Sequence, residues 1–279
     1  MLKIYKDPKR FWAEVAPWLK REEAKHSLCL GLSLHFCADA TDWVYQSALF
    51  QKEQLLGALV CSRYRTNRNF LPTQVQDPAH AQELFAGFQK ANLPITGIVG
   101  ELKTATLYKG LFEAAGHKIK INVAQGIYRC SRVWVPGVPQ DIKFRPAGLR
   151  DVDKIGTWIE DFHREALPHD PPVSGQELAE AKIKKGMIYV LEKKGRLVAM
   201  AGWGRDIESS CSINLVFTPK PWRKNGYGSV ITALLTKHFL DQGKIETNLY
   251  TDMNNPTSNK IYQNIGYQFV CDSVHMDVR

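Results

Sequence analysis

A strand, a turn with two glycines and the start of a helix follow one another toward the C-terminal end of the chain. The strand ends with Val216-Phe217-Thr218-Pro219, and the turn reads Arg223-Lys224-Asn225-Gly226-Tyr227-Gly228-Ser229. A helix start leaves backbone N–H groups unpaired and carries partial positive charge, and glycine lets a ligand approach the backbone closely. Arg223 adds a permanent cation. This order of residues therefore predicts a binding site for a phosphate or diphosphate group.

A second informative segment runs from Asn255 to Tyr267. Pro256 predicts the first turn of a short helix there. Asn255 and Ser258 precede Tyr262 by seven and four residues, so the three side chains share one face of that helix. The segment predicts either a face that contacts one ligand or, for Tyr262, a tyrosine packed in the core.

Taken together, the two segments resemble the GNAT superfamily of N-acetyltransferases. The first matches Arg-x-x-Gly-x-Gly after a strand ending in Val-x-Thr, and the second matches Asn-x-x-Ser-x-x-x-Tyr-x-x-x-Gly-Tyr. The resemblance is specific over residues 142–279. The whole chain is similar to two-domain bacterial GNAT proteins with a degenerate N-terminal half and an active C-terminal half. It implies acetyl-CoA as the acyl-donor cosubstrate and no metal.

The resemblance also implies a role for each residue of the two segments. Backbone N–H groups of the turn would bind the CoA diphosphate, and main-chain groups of the strand would hold the pantetheine arm and the thioester carbonyl. Tyr262 would protonate the departing thiolate. The implied cofactor-binding residues are Val216, Phe217, Thr218, Arg223, Lys224, Asn225, Gly226, Tyr227, Gly228, Ser229, Asn255 and Ser258.

The general base that must deprotonate an ammonium substrate has no motif. In this fold the stretch Trp158–Asp170 contributes to the acceptor side, and a further acid lies just past the predicted strand Glu246–Tyr250. We choose Glu165 as the catalytic base and keep a water relay as the alternative. The candidates are Glu160, Asp161, His163, Glu165, His169 and Asp252.

The length of 279 residues favours two domains. Pro136, Gly137 and Pro139 lie close together in the sequence, which predicts a linker over residues 135–140. The expected domains are a degenerate GNAT-like domain over residues 1–134 and a catalytic GNAT domain over residues 141–279. The fold class is α/β, and the second domain is expected to be a mixed sheet flanked by helices in the order β-α-α-β-β-β-α-β-α-β-β.

The N-terminal half is expected to lack a cofactor site of its own. It has no Arg-x-x-Gly-x-Gly, and in the segment Gly97–Glu101, which we take as the counterpart of the phosphate turn, Glu101 would repel a diphosphate. This half carries +7 of the net charge of +9. We expect it to shape the acceptor cleft and to favour acidic acceptors or an acidic carrier.

These observations predict a cytoplasmic acyltransferase that moves an acetyl group to a primary amine of a small molecule or peptide, by direct attack in a ternary complex. The six cysteines have no paired spacing, and no apolar run is long enough to span a bilayer, so neither a metal site nor a membrane partner is expected. The first alternative is a non-catalytic acyl-CoA-binding or regulatory protein. Nucleic-acid binding through the basic N-terminal half is a further alternative, which we do not favour.

Overall fold

The computed structural model describes residues 1–64, 67–73, 75, 77–168 and 172–279. Two compact units are distinguished: an N-terminal unit, Met1–Ile127 with Val270–Arg279, and a C-terminal unit, Tyr128–Phe269. The boundary lies inside the strand Ile119–Cys130, upstream of the predicted linker at residues 135–140. The last ten residues belong with the N-terminal unit, although the sequence placed them in the second domain.

The N-terminal unit begins with a strand and two helices, as a GNAT-like domain should. Its elements are β1 (Leu2–Tyr5), α1 (Pro8–Leu19), α2 (Glu23–Ala38), β2 (Trp43–Gln51), β3 (Gln54–Tyr64), β4 (Asn67–Pro72), α3 (Pro78–Gln89), β5 (Gly97–Glu101), α4 (Leu102–Ala114) and β6 (Ile119–Cys130). Aromatic rings fill its core: Phe70 packs against Phe88 at 5.1 Å and Tyr108 at 5.0 Å between ring centroids.

The second half of the chain repeats this order of elements, although most of its last strand belongs to the N-terminal unit. The elements of this half are β7 (Ile142–Pro146), α5 (Val152–Ala166), α6 (Gly175–Lys184), β8 (Ile188–Lys193), β9 (Arg196–Gly204), β10 (Ser210–Phe217), α7 (Tyr227–Asp241), β11 (Glu246–Asp252), α8 (Pro256–Asn264) and β12 (Gln268–Val278). Ser174 caps α6, because its hydroxyl accepts a hydrogen bond from the N–H of Glu177. Two consecutive left-handed residues, Lys194 and Gly195, form the hairpin turn between β8 and β9.

Strand pairing is the same in both units. The first four strands of each unit pair antiparallel in sequence order, and the fourth pairs parallel with the fifth: β4 with β5, and β10 with β11. The mixed sheet flanked by helices confirms the predicted fold class, and it extends the predicted order of elements to the N-terminal half.

The end of the chain corrects one prediction. The sequence indicated two final strands separated at residues 271–273, but β12 is one strand. Ser273 pairs with Glu101 and donates its hydroxyl to the carbonyl of Gly100 at 3.0 Å, so the polar residues stay inside the ladder. This pairing of β12 with β5 explains why the last residues belong to the N-terminal unit.

The sheet of the C-terminal unit has two faces with different neighbours. Ala199, Ala201 and Ile213 pack under α7, and we call this the α7 face. Met200 and Phe217 pack under α5 and α6, on the α5/α6 face. Among the described helices, none combines the length and the apolar character that a membrane crossing needs.

Candidate functional site

The turn between β10 and α7 presents backbone N–H groups at a helix start. Lys224 and Gly226 both adopt left-handed backbone conformations, with φ of 65° and 75°. The N–H of Val230 makes a bond to the carbonyl of Gly226 at 3.0 Å, so the three N–H groups before it lie in the uncapped first turn. Among the described residues, no side chain caps this helix. These donors are available to an acceptor outside the helix.

The end of β10 lies close to this helix start. The Oγ1 atom of Thr218 is buried and has no hydrogen-bond partner among the described residues. A Cβ built on Gly228 would lie 3.7 Å from it and 3.7 Å from Ile261, which is ordinary contact. The side-chain amide of Asn225 donates to the carbonyls of Trp222 and Arg223, at 3.1 and 3.0 Å, and so stiffens the turn.

Arg223 is held beside the turn by three contacts. Its Nε donates to the carbonyl of Thr218 at 2.9 Å, its guanidinium lies 5.7 Å over the ring of Phe217, and its Nη2 lies 2.6 Å from Oε2 of Glu165. The contact brings the predicted base, at the end of α5, to the predicted phosphate turn. The ion pair is half exposed, so its stabilising contribution is small, about 0–1 kcal/mol.

A break in strand pairing opens the sheet next to the turn. The register of β10 against β9 shifts between Asn214 and Phe217, and Leu215 has a φ of 48°, which is unusual for a side chain of this size. Pairing of β10 with β11 ends at Ser212 and Asn248, although the strands continue to Phe217 and Asp252. The facing backbone groups beyond this point lack strand partners and can bind an extended ligand.

Tyr262 lies on α8 with its side chain in the core of the C-terminal unit. It packs at 6.0 Å against Tyr267, and burial raises the pKa of its phenol to about 12. The phenol therefore stays protonated at neutral pH. Asn255 caps α8 by accepting from the N–H of Ser258 at 3.1 Å. The amide of Asn259 donates to the carbonyl of Asp252 at 3.1 Å and ties α8 to the end of β11.

The other candidates for the base have structural partners. Glu160 accepts from the N–H of Gly175 at 3.1 Å, Asp161 pairs with Arg164 at 2.8 Å, and Asp252 accepts from the N–H of Asn254 at 2.8 Å. His163 packs against Phe162, with ring centroids 6.1 Å apart. His169 lies outside the described residues. The geometry therefore singles out no base among these residues, and the choice of Glu165 stays a prediction.

The remaining predicted residues fall into two groups. Lys224 is exposed at the turn, and Ser229 lies in the first turn of α7. Val216 packs on the α7 face, and Tyr227 is buried there with its hydroxyl accepting from Lys193 at 3.2 Å, so these two offer main-chain groups to a ligand. Sequence reasoning missed Leu215 and Asn259, because neither residue type marks a bulge or a tie between elements.

The N-terminal unit corrects the predicted counterpart of the phosphate turn. By element order, the turn before α7 corresponds to the turn before α3, and Glu101 corresponds to the cap of α8. The prediction that Gly97–Glu101 occupies the cradle position was wrong, because a strand is followed by a helix three times in each half of the chain and the prediction chose the wrong one. In the turn before α3, the carboxylate of Asp77 accepts a hydrogen bond from the N–H of Ala79 at 2.8 Å.

Comparisons with known proteins agree with this geometry. Residues 190–275 match a family model described as FR47-like protein. No curated protein sequence matches the chain significantly.

Three solved structures are similar over nearly the whole chain. A Drosophila protein has a TM-score of 0.74 at 12% identity, covering 100% of this chain and 98% of that one. A GCN5-related N-acetyltransferase from Sphaerobacter thermophilus has a TM-score of 0.66 at 13% identity, covering 99% and 95%. A tandem GNAT protein from the clavulanic acid biosynthesis pathway has a TM-score of 0.60 at 10% identity, covering 100% and 98%. The chain therefore has a two-domain GNAT fold.

Proposed function

We propose that this two-domain protein of the GNAT fold is an acyltransferase that moves the acetyl group of acetyl-CoA to a primary amine. The observation that carries the proposal is the parting of β10 and β11 beside an uncapped helix start. An opened pair of strands offers hydrogen bonds to the amides of a pantetheine arm, and the helix start offers them to a diphosphate. Few ligands combine these two groups, and CoA is one.

The turn fits the diphosphate by charge and by shape. The free N–H groups of Tyr227, Gly228 and Ser229 point out of the first turn of α7, where the helix dipole favours negative charge. The Oγ1 atom of Thr218, which has no hydrogen-bond partner among the described residues, lies beside this turn and would supply one more donor. Arg223 supplies a cation, which a phosphate group would draw from Glu165.

The reaction we propose is direct attack within a ternary complex. The amine nitrogen bonds to the thioester carbon, the C–S bond breaks, and the proton of the amine passes to a base. Backbone N–H groups of β10 near the bulge at Leu215 would stabilise the oxyanion, a role that the register shift there supports. A covalent route through cysteine is disfavoured on β10, because burial raises the pKa of Cys211 to about 12 and keeps its thiol protonated.

Tyr262 would serve the leaving group. A thiol has an ordinary pKa of about 8.5, well below that of this phenol, so a hydrogen bond to the developing thiolate is favoured over complete proton transfer. Stabilising the thiolate lowers the barrier to C–S cleavage in either case. Glu165 stays the predicted base, with a water relay between its carboxylate and the amine as the alternative.

The compartment we propose is the cytoplasm. All six cysteines are free, which fits a reducing environment. The acceptor we propose is an amine of a small molecule or peptide.

The test is acetyl transfer by the full chain. Acetyl-CoA is incubated with a panel of amino acids, polyamines, aminoglycosides and a lysine peptide, and both thiol release and acetylated amine are measured. We expect the two products to form in equal amounts with at least one amine. Tight binding of acetyl-CoA without transfer to any amine would instead favour a non-catalytic acyl-CoA-binding protein.

A further inference from the structure

A row of small and polar side chains lies on the α5/α6 face of the C-terminal sheet, beside the bulge. Met200 of β9 belongs to that face, so Gly202 and Gly204, two and four residues on, face the same side. On β10 and β11, the hydroxyl of Ser212 donates to Oδ1 of Asn248 at 2.5 Å, and the amide of Asn248 donates to Ser210 at 3.3 Å. These three polar side chains therefore satisfy one another.

In this row, Asn214 has a side-chain oxygen without a hydrogen-bond partner among the described residues. This atom, Oδ1, is buried. Burying an acceptor without a partner is unfavourable, so an orphaned oxygen of this kind calls for an explanation. Asn214 immediately precedes Leu215, the bulged residue. It pairs with Gly202 of β9 and lies two residues past Ser212, where pairing of β10 with β11 ends.

The carboxamide of Asn214 lies over the bare backbone of β9. A Cβ built on Gly202 would lie 2.6 Å from Oδ1 of Asn214, closer than such atoms approach. A Cβ built on Gly204 would lie 3.6 Å from Nδ2, which is ordinary contact. The side chain of Asn214 therefore depends on the absence of a side chain at Gly202 and not at Gly204.

We infer that Asn214 binds the acceptor amine, an inference that rests on the proposed acetyl transfer. Its Oδ1 accepts a hydrogen bond from an N–H of the amine, which leaves the nitrogen lone pair free to face the thioester held at the adjacent bulge. A carboxamide is not basic, so Asn214 orients the amine and does not take its proton. The gain is one of orientation, which is largest when a single rotamer is held by packing.

The decisive variant is Asn214→Leu, which keeps the volume and removes the oxygen. We expect kcat/KM for the best amine of the panel to fall by about 10- to 100-fold. The KM for acetyl-CoA and the thermal stability should not fall, because an unsatisfied buried polar group is removed. Asn214→Asp, which keeps an oxygen at the same place, should retain more activity than Asn214→Leu. If Asn214→Leu kept the wild-type kcat/KM for the amine, Asn214 would have a packing role alone and the inference would be overturned.

A second pair of variants tests the same site without changing Asn214. Gly202→Ala should displace the carboxamide and reproduce the loss in kcat/KM for the amine, whereas Gly204→Ala should not. Equal effects of both alanines would contradict the inference. If the wild-type chain acetylates no amine at all, the proposed function fails and this inference with it. If it acetylates amines and Asn214→Leu does so equally well, the inference alone fails.

Discussion

The two units of this chain share one order of elements but differ where the fourth strand meets the fifth. β4 stays in register with β3 through Pro72, and none of its residues, all of them described, has a positive φ. A Cβ on Gly100 of β5 would still lie 3.3 Å from the carbonyl of Pro72. In β10 the register shifts at Leu215, and pairing with β11 stops. Pairing of β4 with β5 also ends before these strands do, at Phe70 and Ile98. The difference between the two units is therefore the register shift and the left-handed Leu215 of β10, which the described residues of β4 lack.

The helix that follows the fourth strand differs in charge. α3 begins after Asp77, whose carboxylate accepts from the N–H of Ala79. α7 begins after Gly226, which has no side chain to offer, so its first donors stay available. A carboxylate at a helix start satisfies the same groups that a diphosphate would bind, and it repels the diphosphate. The turn before α3 is therefore capped by its own carboxylate, whereas the turn before α7 keeps its donors available for the proposed ligand.

The helices that follow the fifth strands, α4 and α8, give a third comparison between the two units. Tyr108 is the seventh residue of α4, as Tyr262 is of α8. Tyr108 is fully buried against Phe70 and Phe85, and its hydroxyl has no partner among the described residues. The comparison teaches that the fold and even a tyrosine can persist in the N-terminal unit, while the bulge and the uncapped helix start of the proposed site are absent from its described residues.

The largest effect is expected from a negative charge at the second residue of α7, and the same change at the second residue of α3 is the control. Gly228→Glu should weaken acetyl-CoA binding by at least about 100-fold, because like charges in contact are strongly unfavourable. The fold should persist, since a Cβ there meets only ordinary contacts and an acid favours a helix start. Ala79→Glu makes the same change in α3 and should leave affinity unaltered. Calorimetry that finds both variants equally affected would break the comparison.

A smaller effect is expected from removing the two corresponding hydroxyls. Tyr262→Phe should lower turnover by roughly 10²-fold with acetyl-CoA affinity little changed, because the hydroxyl acts only on the leaving thiolate. Tyr108→Phe should leave turnover unchanged and the protein no less stable, because a buried unpartnered hydroxyl is removed. Steady-state kinetics and thermal melts check the pair. Full activity in Tyr262→Phe would leave Tyr262 with a packing role alone.

The smallest effect is expected at the ion pair of the C-terminal turn. Glu165→Gln should tighten acetyl-CoA binding by about 2- to 5-fold, since a half-exposed ion pair that competes for Arg223 contributes about 1 kcal/mol or less. Turnover at saturating acetyl-CoA should change by less than about 3-fold under the alternative in which water relays the proton and Glu165 only pairs with Arg223. A loss of about 100-fold in turnover with unchanged affinity would instead establish Glu165 as the base.

Local signals in the sequence predicted part of this fold and site. The helix Pro256–Asn264 follows from its proline and is confirmed. The helix Glu23–Ala38 went unrecognised because its serines, glycine and leucines give no clear helical face. The bulge at Leu215 and the orphaned amide of Asn214 depend on which strand lies alongside, and that is set by tertiary pairing.

The most direct test of the comparison is the number of acetyl-CoA molecules that one full-length chain binds. Titration calorimetry on the wild-type chain should give one molecule per chain, because among the described residues an uncapped helix start and a bulged fourth strand occur together in the C-terminal unit and not in the N-terminal unit. Gly228→Glu should remove that single binding event. Two molecules per chain, or binding that survives in Gly228→Glu, would contradict the assignment of the site to the C-terminal unit.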